Sequence, residues 1–195
     1  MGKVFTHMTM SLDGFIAEPD DRIGELFEWY EDGEVSVPSA NPDVAFNVDA
    51  ASARVLRELT EDVGVLVAGR RLFDITDGWN DSHPVGAPVV VVTHAPPGDA
   101  SERWPRTTFV DGVEAAIAAA RDIAGSKDVT ISSADVIQQA LGLGLVDEVC
   151  VSLVPVLLGE GIPYFAKLDR GHVMLEDPVV VEGTRALHLR YLVRR

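Results

Sequence analysis

The chain has 195 residues, 31 of them acidic and 16 basic, for a net charge of −15, with 47% hydrophobic and 24% charged residues. That length suits one substantial core, so a single domain over 1–195 is expected. Such a surface offers no basic stripe to a nucleic-acid backbone, and no apolar run approaches the roughly 20 residues of a membrane span. The single cysteine, Cys150, excludes an internal disulfide and a multi-thiolate metal site. Polar Thr6-His7 follow the first residues too closely for a signal-peptide core, which points to a cytoplasmic protein.

Val4 to Met10 reads as a strand running into the turn Ser11-Leu12-Asp13-Gly14. Residues 18–48 are rich in Pro, Asp, Glu and Gly and read as a long loop with a functional or interface role. A helix follows from about Ala50 to Asp62 with Asp49 as its N-cap, then a short buried strand over Val63–Ala68. Val89–Val92 is a β-branched run without alternation, as expected of a parallel strand covered on both faces. Asp111-Gly112-Val113 opens an alanine-rich helix that ends near Gly125. Val129–Ile131 is a brief strand, Ala134–Leu143 a helix, and Val149–Leu158 a long strand holding Cys150 as a buried thiol. Val179–Glu182 and Ala186–Val193 form a terminal hairpin around Gly183-Thr184. The alternation predicts an α/β fold: a mostly parallel central sheet flanked by helices, with a C-terminal antiparallel hairpin.

Three strand-to-helix junctions carry candidate chemistry. At Gly69-Arg70-Arg71-Leu72, backbone N–H groups and two guanidiniums can converge on a phosphate, or the segment is a tight turn with two solvated arginines. Thr93-His94 stands at the carboxyl end of a parallel strand, where open sheets bind ligands, although a lone histidine after a strand is more often simply exposed. At Ser132-Ser133-Ala134-Asp135-Val136 small side chains meet a helix N-terminus; an ordinary Ser/Asp cap is the competing reading. The five histidines, His7, His83, His94, His172 and His188, lack metal-ligand spacing, so no metal is expected. No GxGxxG follows the first strand, which argues against a standard Rossmann domain.

Four motifs in order, Ser11-Leu12-Asp13-Gly14-Phe15-Ile16-Ala17, Gly69-Arg70-Arg71-Leu72-Phe73, Gly144-Leu145-Val146-Asp147-Glu148 and Pro155-Val156-Leu157-Leu158-Gly159-Glu160-Gly161, span nearly the whole chain. Together they resemble the dihydrofolate-reductase-like family related to the C-terminal reductase half of the bifunctional riboflavin deaminase–reductase. The resemblance implies a dihydrofolate-reductase-like fold, an NADPH cleft and a homodimer, for which Val149–Leu158 is a candidate edge. It places Thr9, Ile16 and Ala17 against the nicotinamide. Gly69, Arg70, Arg71 and Leu72 would face the pyrophosphate and adenosine, with Thr93 and His94 at the 2′-phosphate. Ser132, Ser133, Ala134, Asp135 and Val136 would form the phosphate-facing helix start.

The implied activity is hydride transfer from NADPH to a small heterocyclic or carbonyl substrate, similar to 5-amino-6-(5-phosphoribosylamino)uracil reductase. The substrate would be roofed by Leu26, Phe27, Trp29 or Tyr30 and floored by Pro155 to Leu158. Two positions depart from the family pattern. Ser132-Ser133 replaces the usual Gly-Gly, and Ala53 stands where the related helix carries an acid, with Asp49 one turn earlier and Glu25, Glu28 and Asp43 farther back as substitutes. Both departures suit an alternative, a ligand-binding or dimer-forming module without turnover.

Overall fold

The computed structural model describes residues 2–42, 44–166, 168 and 171–195; Asp43 therefore lies outside the described residues. Along the chain run β1 (Val4–Ser11), β2 (Phe15–Ala17), β3 (Val35–Val37), β4 (Phe46–Val48), α1 (Ala50–Thr60), β5 (Val63–Gly69) and α2 (Arg70–Ile75). Then come β6 (Val89–Val92), α3 (Ala100–Arg103), β7 (Thr107–Val110), α4 (Val113–Ala124), β8 (Asp128–Ser132) and α5 (Ala134–Gly142). The chain closes with β9 (Glu148–Val154), β10 (Ile162–Pro163), β11 (Val179–Glu182) and β12 (Leu187–Leu192).

Eight strands form one sheet in the order β11-β12-β9-β1-β8-β5-β6-β7. It is parallel from β9 to β7, and β12 and β11 add antiparallel strands at one end. This is the mixed α/β sheet that the alternation predicts. Strand parity sorts the core. Val65, Val67, Val90, Val129 and Ile131 pack on one face against Ala116, Ile117 and Ala120 of α4 and Ile137 and Ala140 of α5. On the other face Phe5 and Cys150 meet Val55 and Leu59 of α1, while Leu66, Val89 and Val91 meet Phe73 and Trp104. Full burial of a side chain such as Ile117 contributes about 1.5–3 kcal/mol. Among the described residues no helix is long and apolar enough to cross a membrane.

Two of the motifs are architectural. The Asp13 carboxylate accepts from Ser11 Oγ at 2.6 Å and from the N–H groups of Leu158 and Gly159 at 3.2 and 2.7 Å, tying the β1–β2 turn to the Pro155–Gly161 loop. Those hydrogen bonds, the Ser11 hydroxyl first, hold its pKa below the ordinary carboxylate value. Asp147 likewise accepts from Val4 N–H at 2.9 Å and locks β1 to the start of β9.

Several expectations are corrected. β9 ends at Val154, one residue before Pro155, and hydrogen-bonds β1 on one side and β12 on the other. It is an interior strand, so it cannot be the edge of a dimer. The 18–48 segment contains a 3-10 turn at Gly24–Tyr30 and the β3–β4 hairpin. Leu26 and Trp29 from that turn are 0% and 1% exposed among Val37, Val48, Ala53 and Leu56, so they are core rather than a roof. Strand β7 escaped the reading because Thr107-Thr108-Phe109-Val110 lacks a clear apolar run.

Candidate active site

The sheet divides at its centre. β1 pairs with β8 only over Val4–Thr6, but with β9 from Phe5 to Ser11. Lys3 C=O accepts from Val129 N–H of β8, whereas Val4 C=O accepts from Asp147 N–H beside β9, so alternate residues of β1 face the β8 side. Thr9 has the parity of Lys3, and its backbone therefore faces a notch beyond the last β1–β8 pair. Chain order reverses here too, since β5 leads outward to β6 and β7 while β8 returns between β5 and β1. A notch at the carboxyl ends of parallel strands, at such a switch point, is where open α/β sheets bind ligands.

The junction of the β5, β6 and β8 ends is closely packed. Ala68 pairs with Ser132 and Gly69 with Val92, so the three strand ends stand level. A Cβ on Gly69 would lie 3.3 Å from Val136 Cγ2 and 3.4 Å from Ser133 Cβ and Oγ, so a side chain there would crowd the start of α5. Ser133 takes φ 136°, a region that favours glycine, so the serine keeps a glycine-like backbone. Its hydroxyl does not cap α5; Oγ accepts from Gly69 N–H at 2.9 Å across the junction. The expected Ser/Asp cap is thus replaced by a bond between the two loops that would cradle a phosphate. Ser132 and Ala134 are partly buried beside it, Val136 is core, and Asp135 is exposed, its carboxylate accepting from Gln139 Nε2 at 2.6 Å.

Among the described residues, Arg70, Arg71 and the His94 ring at this rim each have an acidic or carbonyl partner. Arg70 Nε bonds Asp74 at 2.7 Å and its terminal nitrogen the Ala95 carbonyl at 2.5 Å. Arg71 donates twice to Asp21, at 3.0 and 2.7 Å, and this pairing raises its pKa. His94, at the end of β6, meets Asp111 at 2.5 Å, and Thr93 Oγ accepts from Ala95 N–H at 3.2 Å in a tight turn. Leu72 is partly buried and packs against the cluster of Leu66, Ala68 and Phe73.

At the inner end, Thr9 is 3% exposed. Trp29 Nε1 donates to its hydroxyl at 3.2 Å, and half-buried Tyr30, whose pKa desolvation pushes up to about 12, bonds it as well. The Thr9 side chain is therefore committed, which leaves its backbone facing the notch. Ile16 and Ala17 are buried against β10, forming a wall rather than an open surface. The residues fit a dinucleotide at the Gly69–Ser133 end, while Trp29 and Tyr30 fill the space against Thr9.

Asp49 is the N-cap of α1, its Oδ1 accepting from Ala51 and Ser52 N–H at 2.8 and 3.1 Å. Its Oδ2 accepts from Ser52 Oγ at 2.5 Å and Thr184 N–H at 2.8 Å. Burial works to raise this carboxyl, but the Ser52 hydroxyl and the surrounding N–H groups together hold it below the ordinary value. Beyond Ser52 the bonds continue through His188 and Ser152 to His7. The histidine spacing gave no sign of this cluster. The period-two pattern of β1 places His7 on the face shared by Phe5 and Thr9, and that was the available signal.

Residues 2–182 match the family model of the RibD C-terminal domain, and the chain belongs to that family. No curated protein gives a significant match. Among solved structures, a protein described as a riboflavin biosynthesis protein from Shewanella sp. PV-4 is 24% identical over 99% of each chain, with a TM-score of 0.70. Dihydrofolate reductase from Enterococcus faecalis, in complex with NADP(H) and RAB-propyl, is 15% identical over 100% of this chain and 98% of its own, with a TM-score of 0.61. Acinetobacter baumannii RibD is 14% identical with a TM-score of 0.63, and this chain, covered in full, spans 58% of it. These likenesses fix the dihydrofolate-reductase-like fold.

Proposed function

We propose that this member of the RibD C-terminal domain family is an NADPH-dependent reductase acting on a small heterocyclic or carbonyl substrate, of the kind that 5-amino-6-(5-phosphoribosylamino)uracil represents. The observation that carries the reading is the Gly69–Ser133 junction, where a serine keeps a glycine-like φ of 136° at the start of α5. Two backbones approach closely there, with little room for a Cβ on Gly69. Bound NADPH would supply a hydride from its nicotinamide to the substrate. Backbone N–H groups of the first turn of α5 would bind the pyrophosphate, with Gly69 leaving room for it and Arg70 and Arg71 beside it. Thr93 and His94 stand at the strand end suited to the adenosine side. The Thr9 backbone would orient the carboxamide in the notch, and Ile16 and Ala17 would wall off water.

The test is a titration with NADPH followed by its fluorescence, then its oxidation with the aminopyrimidine present. Binding at submillimolar cofactor, weakened about tenfold in Arg70→Ala, supports the reading; no binding there sinks it. A second reading, a module without turnover, is favoured by the acidic partners of Arg70, Arg71 and His94 and by Trp29 against Thr9. Cofactor binding with no NADPH oxidation in the presence of any aminopyrimidine would support it. A homodimer belongs to the reductase reading, and a monomer mass in light scattering removes it.

A further inference from the structure

Five polar side chains from four elements form one unbroken line between α1 and the sheet. From Asp49 Oδ2 it passes to Ser52 Oγ at 2.5 Å and from there to His188 Nε2 at 2.9 Å. His188 Nδ1 is 2.9 Å from Ser152 Oγ, which is 2.9 Å from His7 Nε2. Ser52, Ser152 and His188 are 0, 1 and 4% exposed, so water does not satisfy them. Helix capping needs only Oδ1 of Asp49, so the line is additional to the cap.

Hydrogen counting gives the line a direction. An ionised carboxylate only accepts, so the single hydrogen of Ser52 is used on Asp49 and its oxygen must accept from His188 Nε2–H. A neutral imidazole has one N–H, so His188 Nδ1 accepts the hydrogen of Ser152. The Ser152 oxygen then accepts from His7 Nε2–H, which leaves His7 Nδ1 bare. Burial, more than the repulsion from His188, pushes the His7 pKa down to about 4, and burial also lowers His188, so both rings are neutral at pH 7. Every hydrogen in the line points toward Asp49.

His7 lies two residues before Thr9 on the same face of β1 and lines a cavity of about 40 Å³ with Val55, Leu59, Ser152, His188 and Arg190. Arg190 is paired there with Glu58 at 3.0 Å, so the charges at the cavity offset each other. The volume admits one donor group of a ligand rather than a whole ring.

We propose that His7 is a specificity-determining residue whose Nδ1, held as an acceptor by the line from Asp49, reads an N–H of the bound substrate. This rests on the reductase reading. It also assigns His7 no part as the proton donor, since its Nδ1 carries no hydrogen.

The first arm of the test needs no ligand. Nitrogen NMR of histidine-labelled protein at pH 7 should show the Nε2–H tautomer for both His7 and His188. In Asp49→Asn the amide donates to Ser52 and both tautomers reverse; should that variant not fold, Ser52→Ala cuts the line and leaves His7 a mixture. An Nδ1–H tautomer of His7 in the native protein, or tautomers unmoved in the folded variants, overturns the proposal. The second arm uses 5,6-diaminouracil with NADPH present. Native protein and His7→Gln, which keeps an acceptor, should bind it within about threefold of each other, and His7→Leu about tenfold more weakly. The ring-N-methylated analogue should not distinguish native protein from His7→Leu. If NADPH fails to bind, the reductase reading falls and takes the proposal with it. If NADPH binds and His7→Leu holds the diaminouracil as tightly as native protein, the proposal alone falls.

Discussion

Lowering the pH from 7 to 5 should destabilise this protein. Burial pushes the pKa of His7 and of His83 from 6.5 to about 4, and lowers that of His188. A depressed folded pKa means that the unfolded chain takes up the proton first. The stabilisation is thus complete above pH 6.5, erodes as pH falls below it, and levels off near 4. Linkage gives about 2 kcal/mol per ring between pH 7 and 5, trimmed to about 1.5 because neither His7 nor His83 is fully enclosed, hence about 3 kcal/mol for the pair. That is a large part of the roughly 5–15 kcal/mol typical of a domain. Asp13 and Asp49 contribute nothing in this window, since their depressed pKa values give stability that is lost only below the ordinary 3.8. Urea unfolding followed by tryptophan fluorescence at pH 7, 6 and 5 measures the slope. His83→Gln, whose amide oxygen can still accept from Val85 N–H, should remove about half of the loss. Stability at pH 5 equal to that at pH 7 would refute the assignment of these rings as buried and neutral.

Ser133→Ala keeps the positive φ and removes the acceptor of Gly69 N–H, so its melting should show a loss of about 1–2 kcal/mol. Ser133→Gly loses the same bond but relieves the backbone, and should stay within about 1 kcal/mol of the native protein. Asp21→Asn removes the carboxylate held by Arg71, so NADPH fluorescence titration should give binding about threefold tighter than native. An unchanged or weaker affinity would show that Arg71 does not reach the cofactor.

The parts legible in the sequence are those written in short segments. The strand order could not be read, but Val89–Val92, the α1 cap at Asp49 and the turn Ser11–Gly14 each declare themselves locally, and each is present. Gly69-Arg70-Arg71 was visible as a junction for the same reason. What a local pattern cannot carry is the choice of partner. Trp29 was open to either a ligand roof or the core until Val48, Ala53 and Leu56 closed around it. His7 and Ser152 are 145 residues apart, and their bond exists only because β1 and β9 pair in one register.

The Ser132-Ser133 pair shows the converse. Its residue types argued against a phosphate cradle, because glycine is the usual occupant of such a backbone. Conformation, however, is set by the strand ends that hold it: Ser132 is fixed opposite Ala68, and α5 is fixed by Val136 and Ile137 in the core. With both flanks clamped, Ser133 adopts φ 136° at a cost of about 1–3 kcal/mol, partly offset by its bond from Gly69. The surroundings therefore dictate the geometry of the cradle, and the side chain adjusts how much room it leaves. The loss expected in Ser133→Ala and the near neutrality of Ser133→Gly are the two sides of that statement.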